Sequence, residues 1–240
     1  MSTLPQRSGV LRGKIEIHPA LLIMSGTTVI GGTSGALVSP VLAAVLAAAG
    51  FLWGAGLATV GTRLNRIEAR GRIWRNATVF ATVLAAGSLT GSGLLDQLIM
   101  TAALNDAPQF FADLVRGSIG QAQTLPFLIF NPALEWLLIP AVVLFNWREP
   151  RRRRLLLALF VIFYLNRVWT HTWFVPQITS WSEGASGTPM SVDQLEQARH
   201  WVMLSWIRLG IDVAAVVLAL LVAFIPLIKR DQASNRSAAA

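Results

Sequence analysis

The stretch AVVLFNWREPRRRRLLLALFVIFYL, residues 141–165, decides the fold, because a short loop with five arginines joins two apolar segments. Working outward, these segments extend over 125–146 and 155–175, and a transmembrane helix needs about 20 apolar residues. The chain of 240 residues is 54% hydrophobic and only 13% charged, whereas a soluble domain has about 25% charged residues. This composition excludes an ordinary soluble protein and predicts an all-α integral membrane helical bundle.

Five apolar spans are predicted along the chain, at 37–60, 77–104, 125–146, 155–175 and 200–228. We interpret 77–228 as a four-helix membrane domain and the first span as an extra N-terminal transmembrane helix. Residues 1–36 are expected to form a polar or interfacial segment, and 229–240 a cytoplasmic tail. The stretch 19–37 is weakly apolar and rich in Gly, Ser and Thr, so six spans are the alternative. Five are favoured, because almost no loop would separate a helix there from Pro40.

Lys and Arg are concentrated in alternate loops. The loops 61–76 and 147–154 and the C-terminal tail carry 5, 5 and 3, whereas the loops 105–124 and 177–199 carry one each. Basic loops stay on the cytoplasmic side, so we expect them and the C-terminus to face the cytoplasm from an inner or plasma membrane. The same pattern explains the net charge of +8. No nucleic-acid partner is expected, since no groove-reading motif accompanies that charge.

Six ionisable side chains fall within the predicted spans, in the half of the membrane opposite the basic loops. They are Asp96, Glu135, Arg167, His171, Arg208 and Asp212. Charges inside a bilayer are expensive and normally face the bundle interior with a partner. Residues four apart share a helix face, and this spacing holds for the pairs Asn131 and Glu135, Arg167 and His171, and Arg208 and Asp212. The pattern predicts a polar site formed mainly by the last three helices. Ion pairs that only fix the helix register are the alternative.

Tryptophans accompany this polar zone. Three are deep enough to line a flat apolar pocket, although ordinary helix packing is an equal explanation: Trp136, Trp169 and Trp206. Three others lie near the predicted membrane boundary and are typical of an interfacial belt: Trp173, Trp181 and Trp201.

Three segments resemble the anthrone oxygenase-like family of small membrane proteins. In LEQARHWVMLSWIRLGIDVAAVVLALL (195–221), the residues Trp201, Ser205, Trp206 and Arg208 resemble the start of the family's last helix, with Ser205 in place of the usual Asn. FYLNRVWTHTWFVPQITSW (163–181) resembles its third helix, without the usual Asn after the proline. FNPALEWLLIPAVVLFNWREPRRRR (130–154) resembles its second helix and basic loop. The resemblance covers roughly residues 77–228.

This resemblance implies a four-helix bundle that oxidises an anthrone to an anthraquinone with O₂, without metal or flavin. A base would remove a proton from the acidic methylene, and a cation would stabilise the enolate oxygen. We expect His171 to be the base, because imidazole titrates near neutrality. Arg208 or Arg167 would stabilise the oxyanion, and Glu135 or Asp212 would orient the base. The substrate would contact Trp136, Trp169, Trp206, Asn131 and Asp96.

Other function classes stay open at this point. A carrier or proton-coupled permease would use the embedded charges for a solute or for protons. A haem- or metal-binding subunit is less favoured, because only His171 lies firmly within a span and the chain has no cysteine; we expect no cofactor and no metal site. A purely structural or accessory protein would pair its polar groups fully. Besides the lipid bilayer, the expected partners are a small apolar or aromatic molecule and a second copy of the chain, which the small-residue pair Gly87 and Gly91 would support.

Overall fold

The computed structural model describes residues 18–65, 68–185 and 187–238, with the side chains of 65, 68–72, 118–121 and 226–238 left out. Residues 1–17, nearly half of the predicted N-terminal segment 1–36, lie outside the described residues. The helices are α1 (Pro19–Ala36), α2 (Pro40–Asn65), α3 (Glu68–Asp106), α4 (Pro108–Arg116), α5 (Ser118–Pro132), α6 (Ile139–Asn146), α7 (Pro150–Trp169), α8 (Val175–Ser182) and α9 (Val192–Ala238). Two π-helical turns, Ala133–Leu138 and Thr170–Phe174, connect α5 to α6 and α7 to α8.

Five helical stretches of the described chain are long and apolar enough to cross a membrane. They are Pro40–Leu64, Ile73–Asp106, Ala122–Asn146, Pro150–Ser182 and Val192–Ile225. The prediction of an all-α, multi-pass membrane bundle is confirmed.

The last four of these stretches form a closed four-helix core. The helix α3 packs against α9 and against α5 and α6, while α7 packs against α9 and α6. Large apolar side chains fill the half nearest the basic loops; Leu134, Val143, Leu156 and Leu159 are each at most 1% exposed there. We call the opposite end of the bundle the distal half.

The helices α1 and α2 form an antiparallel hairpin held by glycines. A Cβ on Gly31 would overlap the backbone carbonyl of Leu46, and a Cβ on Gly50 would overlap that of Thr27. The hydroxyl of Thr27 also donates a hydrogen bond of 2.7 Å to the carbonyl oxygen of Gly50. Only helices without side chains at these points can approach so closely.

The position of α1 differs from the predicted interfacial segment. Besides α2, it packs against α6, α7 and both π-helical turns, and Ile23 and Ile30 are fully buried. Mean hydropathy underestimates this segment, because small polar residues lower the average while allowing close helix packing. At 18 residues and 1.5 Å per residue, α1 is about 27 Å long.

Two connections at the distal end follow their sequence patterns. The amphipathic stretch around Phe110 and Phe111 forms α4, with Phe111 and Leu114 each 1% exposed. A capping box starts α9: the Gln194 backbone N–H donates to the Ser191 hydroxyl (3.2 Å), and the Ser191 N–H donates to Gln194 Oε1 (3.0 Å).

Candidate functional site

The distal half encloses a cavity of about 450 Å³ between α3, α5, α9 and the continuous stretch from α7 to α8. Its deep end lies at Asp212, and its wall on α9 extends to Trp201, a distance of about 16 Å at 1.5 Å per residue. The distal helix α4 contributes Leu114 and Arg116. This volume lies within the range of small-molecule sites, which is roughly 300–1,000 Å³.

A hydrogen-bonded cluster on Arg167 forms the deep end of the cavity. Arg167 Nη2 donates to Asp212 Oδ1 at 2.7 Å, and Nη1 donates to Asn131 Oδ1 at 2.8 Å. Asn166 Nδ2 also donates to Asp212 Oδ1, at 2.8 Å. Arg167 is only 3% exposed, so its charge needs these partners. The structure thus brings together three of the residues that the sequence predicted for the site.

Arg208 and Asp96 line the same cavity but, unlike Arg167, are not held by hydrogen bonds to described residues. Within the described part of the chain, neither makes a hydrogen bond or an ion pair with another residue. The guanidinium carbon of Arg208 lies 4.5 Å from the ring centre of Phe174 and 5.9 Å from that of Trp201. Stacking on an aromatic face stabilises a cation while leaving its N–H donors available. Asp96 is close enough for its charge to interact with Arg208.

His171 and Glu135 lie together but outside the cavity lining. The distance from His171 Nε2 to Glu135 Oε1 is 3.5 Å, which exceeds an ordinary hydrogen bond. Glu135 and His171 both belong to π-helical turns. Asn131 and Arg167, four residues before them, line the cavity, whereas Glu135 and His171 do not. The helical stripes predicted for these two spans are therefore divided.

The three tryptophans predicted to contact a substrate do not line the cavity. The carbonyl oxygen of Trp136 accepts a hydrogen bond from Trp53 Nε1 (2.7 Å) on α2. Trp169 lines a separate groove between α7 and α9. Trp206 is 38% exposed, and its Nε1 donates to the hydroxyl of Thr101 at 3.3 Å. None of the three therefore contributes to the cavity wall.

The belt interpretation is wrong for two of the other tryptophans. Trp201 is 4% exposed and Trp181 only 2%. The Nε1 of Trp201 donates to the carbonyl oxygen of Phe174 at 3.2 Å, a partner that burial requires and the sequence does not reveal. Trp201, together with Phe174 and Phe127, supplies the aromatic wall that was expected from the deeper tryptophans.

Two further residues of the lining were not predicted. The hydroxyl of Ser205 is 1% exposed and has no hydrogen-bond partner among the described residues. The sequence could have indicated Ser205, because it lies three residues before Arg208 and therefore on the same face of the helix. Arg116 donates from Nε to the carbonyl oxygen of Trp181 (3.0 Å) and from Nη1 to that of Thr188. It joins α4 to the connection between α8 and α9, and no local pattern indicated that role.

Across the described chain, no three His, Asp or Glu side chains are grouped so that they could hold a metal ion. The chain matches no family model, and comparisons with curated proteins and with solved structures find no match either. The cavity is therefore the feature of the described chain that indicates a function.

Proposed function

We propose that this membrane protein binds a flat, weakly acidic aromatic molecule in the distal cavity and oxidises it with O₂. One observation carries the proposal: a cation, Arg208, and a carboxylate, Asp96, line one cavity without a direct partner among the described residues. Charges placed inside a membrane bundle are normally paired. A ligand with an oxygen that becomes negative and a proton that can be removed would complement both groups.

The cavity walls favour a flat aromatic ligand over a compact polar one. Phe127, Phe174 and Trp201 provide aromatic surface along the same cavity. Aromatic rings prefer offset or edge-to-face contacts with other rings, and α9 gives the cavity a length of about 16 Å. The likeness to the anthrone oxygenase-like family points to the same class of substrate.

The reaction needs no group other than the substrate, O₂ and protein side chains. A base removes one methylene proton, and the electron pair moves into the ring system to give an enolate whose oxygen lies against Arg208. The enolate carbon reduces O₂ and forms a C–O bond, which gives a peroxide. Loss of the second methylene proton and cleavage of the O–O bond yield the ketone and water, so R₂CH₂ + O₂ becomes R₂CO + H₂O.

The geometry favours Asp96 over His171 as the base. Asp96 lines the cavity, whereas His171 faces Glu135 outside the lining. Arg208 is the better oxyanion partner than Arg167, because Asp212 and Asn131 already occupy two donors of Arg167. In this assignment Asp212 and Asn131 position Arg167.

The experiment follows O₂ uptake and quinone absorbance with an anthrone and the purified protein in lipid nanodiscs. We expect turnover, and Arg208→Gln should lower kcat/KM by about 10²- to 10³-fold, as removal of an oxyanion donor does. Asp96→Asn should cost about 10²-fold or more, while His171→Ala should stay within about threefold of the parent. Arg199→Gln is the matched control, since Arg199 is exposed on the same helix as Arg208.

Two results would contradict this proposal. Absence of turnover by the unmodified protein would exclude the oxygenase, and full activity of Arg208→Gln would exclude the assigned site. If His171→Ala alone abolished turnover, the base would be His171 after all. The second candidate is a carrier for the same kind of molecule, favoured by the extension of the cavity to Arg116 and Ser182 at the distal end. Binding that depends on Arg208 without turnover would support the carrier.

A further inference from the structure

The cavity lining carries an excess positive charge that the proposed reaction does not use. Among the described residues that line it, the ionisable ones are three arginines and two aspartates: Asp96, Arg116, Arg167, Arg208 and Asp212. Asp212 pairs with Arg167, and Asp96 is close enough for its charge to interact with Arg208. Arg116 is therefore the lining cation whose charge is left over, and a ligand with a permanent negative charge would complement it.

Arg116 is fixed in place by neutral groups. Its Nε and Nη1 donate to the carbonyl oxygens of Trp181 and Thr188, and no described carboxylate lies within 4 Å of its guanidinium. The guanidinium lies against Gly184, where a Cβ would overlap it. Its Nη2 donates to no described residue, and it is not one of the enclosed unpaired atoms of the structure, such as the Ser205 hydroxyl. The side chain is thus positioned without an anion.

Arg116 and Arg208 lie at opposite ends of an aromatic wall. At the distal mouth, Arg116 lines the cavity together with the exposed Ser182. Further in, the guanidinium carbon of Arg208 lies 5.9 Å from the ring centre of Trp201. The ring of Trp201 lies 6.1 Å from that of Trp181, whose carbonyl oxygen holds Arg116. A flat molecule along Trp201 therefore has one arginine near each end.

The membrane favours one orientation for a ligand with a permanent charge. The helix α4, which ends at Arg116, lies between the membrane-crossing stretches Ile73–Asp106 and Ala122–Asn146 and belongs to neither. Arg116 is thus near the distal surface, where a carboxylate costs far less than it does at the bilayer centre. A ligand that enters from this side keeps its charged group at the mouth and places its rings inside.

We propose that the ligand of the distal cavity is an aromatic carboxylic acid, whose carboxylate binds Arg116 while its rings extend along Trp201 towards Arg208. Arg116 Nη2 donates a charge-assisted hydrogen bond to the carboxylate. The inference rests on the proposed function for the acidic methylene at the deep end, near Asp96 and Arg208. The carboxylate site itself requires no turnover, and it determines which end of the molecule enters first.

The test measures binding of two fluorescent probes, anthracene-2-carboxylate and anthracene-2-carboxamide, to the whole protein in phosphatidylcholine nanodiscs. Neither probe has the methylene that the oxidation requires, so their binding is independent of turnover. Energy transfer from tryptophan to anthracene reports binding, and empty discs correct for uptake by lipid. We expect the carboxylate to bind about tenfold more tightly than the carboxamide, which is the effect of one hydrogen bond to a charged group.

Arginine variants test where the carboxylate binds. Arg116→Gln should remove the preference for the carboxylate. Arg116→Lys keeps the charge without the planar fork of donors and should retain part of the preference. Arg199→Gln is the control for the loss of a distal arginine, because Arg199 is exposed and does not line the cavity; it should leave the preference unchanged.

A pair of serine variants on α8 keeps the test decisive if Arg116→Gln fails to fold. Ser182 is exposed at the mouth of the cavity, so Ser182→Asp adds a competing carboxylate there and should lower the preference about fivefold or more, since a charge-assisted hydrogen bond is at stake. Ser180→Asp is the matched control, because Ser180 is exposed on the same helix but does not line the cavity. It should leave the preference unchanged.

Four results would overturn the carboxylate site. They are equal binding of the two probes, equal effects of Ser182→Asp and Ser180→Asp, a preference that Arg208→Gln removes and Arg116→Gln keeps, and loss of the preference in discs that contain phosphatidylglycerol. The last result would assign Arg116 to a lipid headgroup. A carboxylate preference without turnover of an anthrone would support this site and contradict only the oxidation, whereas turnover without the preference would do the reverse.

Discussion

The α1–α2 hairpin and the distal cavity are packed in opposite ways within one bundle. In the hairpin, Gly31 and Gly50 bring two backbones into contact and leave no room even for a Cβ. In the distal half, α3, α5, α9 and the stretch from α7 to α8 surround a cavity of about 450 Å³. The first region uses the smallest side chains, and the second uses large aromatic and charged ones. Whether a membrane bundle closes or opens locally thus depends on side-chain size at the facing positions.

The charged groups of the cavity show the same contrast on a smaller scale. Arg167 is buried with two acceptors, whereas Arg208 stacks on Phe174 and has no acceptor among the described residues. Protein acceptors thus hold the guanidinium of Arg167 in place. The N–H donors of Arg208 are not bonded to any described residue, which is the arrangement that the proposed ligand site requires.

The largest expected effect concerns the side of the membrane on which α1 begins. Since α1 is antiparallel to α2 along its length and about 27 Å long, it should cross the membrane with α2. The chain has no cysteine, so single cysteines can report topology with an impermeant maleimide. Val38→Cys should react only from outside, and His18→Cys only from the side on which Arg148→Cys reacts. Reaction of both from the same side would restore the predicted interfacial segment.

The next effect tests the paired cluster at the deep end. Asp212→Asn removes the charge that balances Arg167, and we expect the free energy of unfolding in mixed micelles to fall by about 4 kcal/mol, since breaking a buried pair leaves an uncompensated charge. Asp96→Asn is the control, because Asp96 has no ion-pair partner within the described chain; it should change stability by less than about 0.5 kcal/mol. Equal losses would remove the distinction between the two groups of charges.

The smallest effect tests the hairpin. Gly50→Val places methyl groups against the backbone of Thr27, and we expect a loss of about 3 kcal/mol, at the upper end of overpacking costs. On the same helix, a Cβ on Gly56 would meet nothing within 4 Å, so Gly56→Val should be tolerated. Limited proteolysis and unfolding in mixed micelles measure both variants, and a tolerated Gly50→Val would show that the hairpin is looser than described.

Several site residues could be predicted from local chemistry alone. Charges inside an apolar span must face inward, and this rule placed Asp96, Arg167, Arg208 and Asp212 correctly at one cavity. The rule did not separate them from Glu135 and His171, which lie outside the lining although each shares a predicted stripe with Asn131 or Arg167. Local chemistry also could not predict which tryptophans line the cavity, because that depends on the helix that each side chain faces.

The sequence by itself determined the membrane class, the helical spans and the positions of charged residues within them, because each depends on hydropathy and periodicity over a few turns. Only the tertiary structure decided that α1 packs against the bundle and that Trp201 rather than Trp136 faces the cavity. It also decided that Arg208 has no hydrogen-bond acceptor among the described residues, where Arg167 has two. These properties depend on the rotation and separation of helices that are far apart in the chain. Hydropathy averages over a segment, whereas packing depends on the individual side chains that meet.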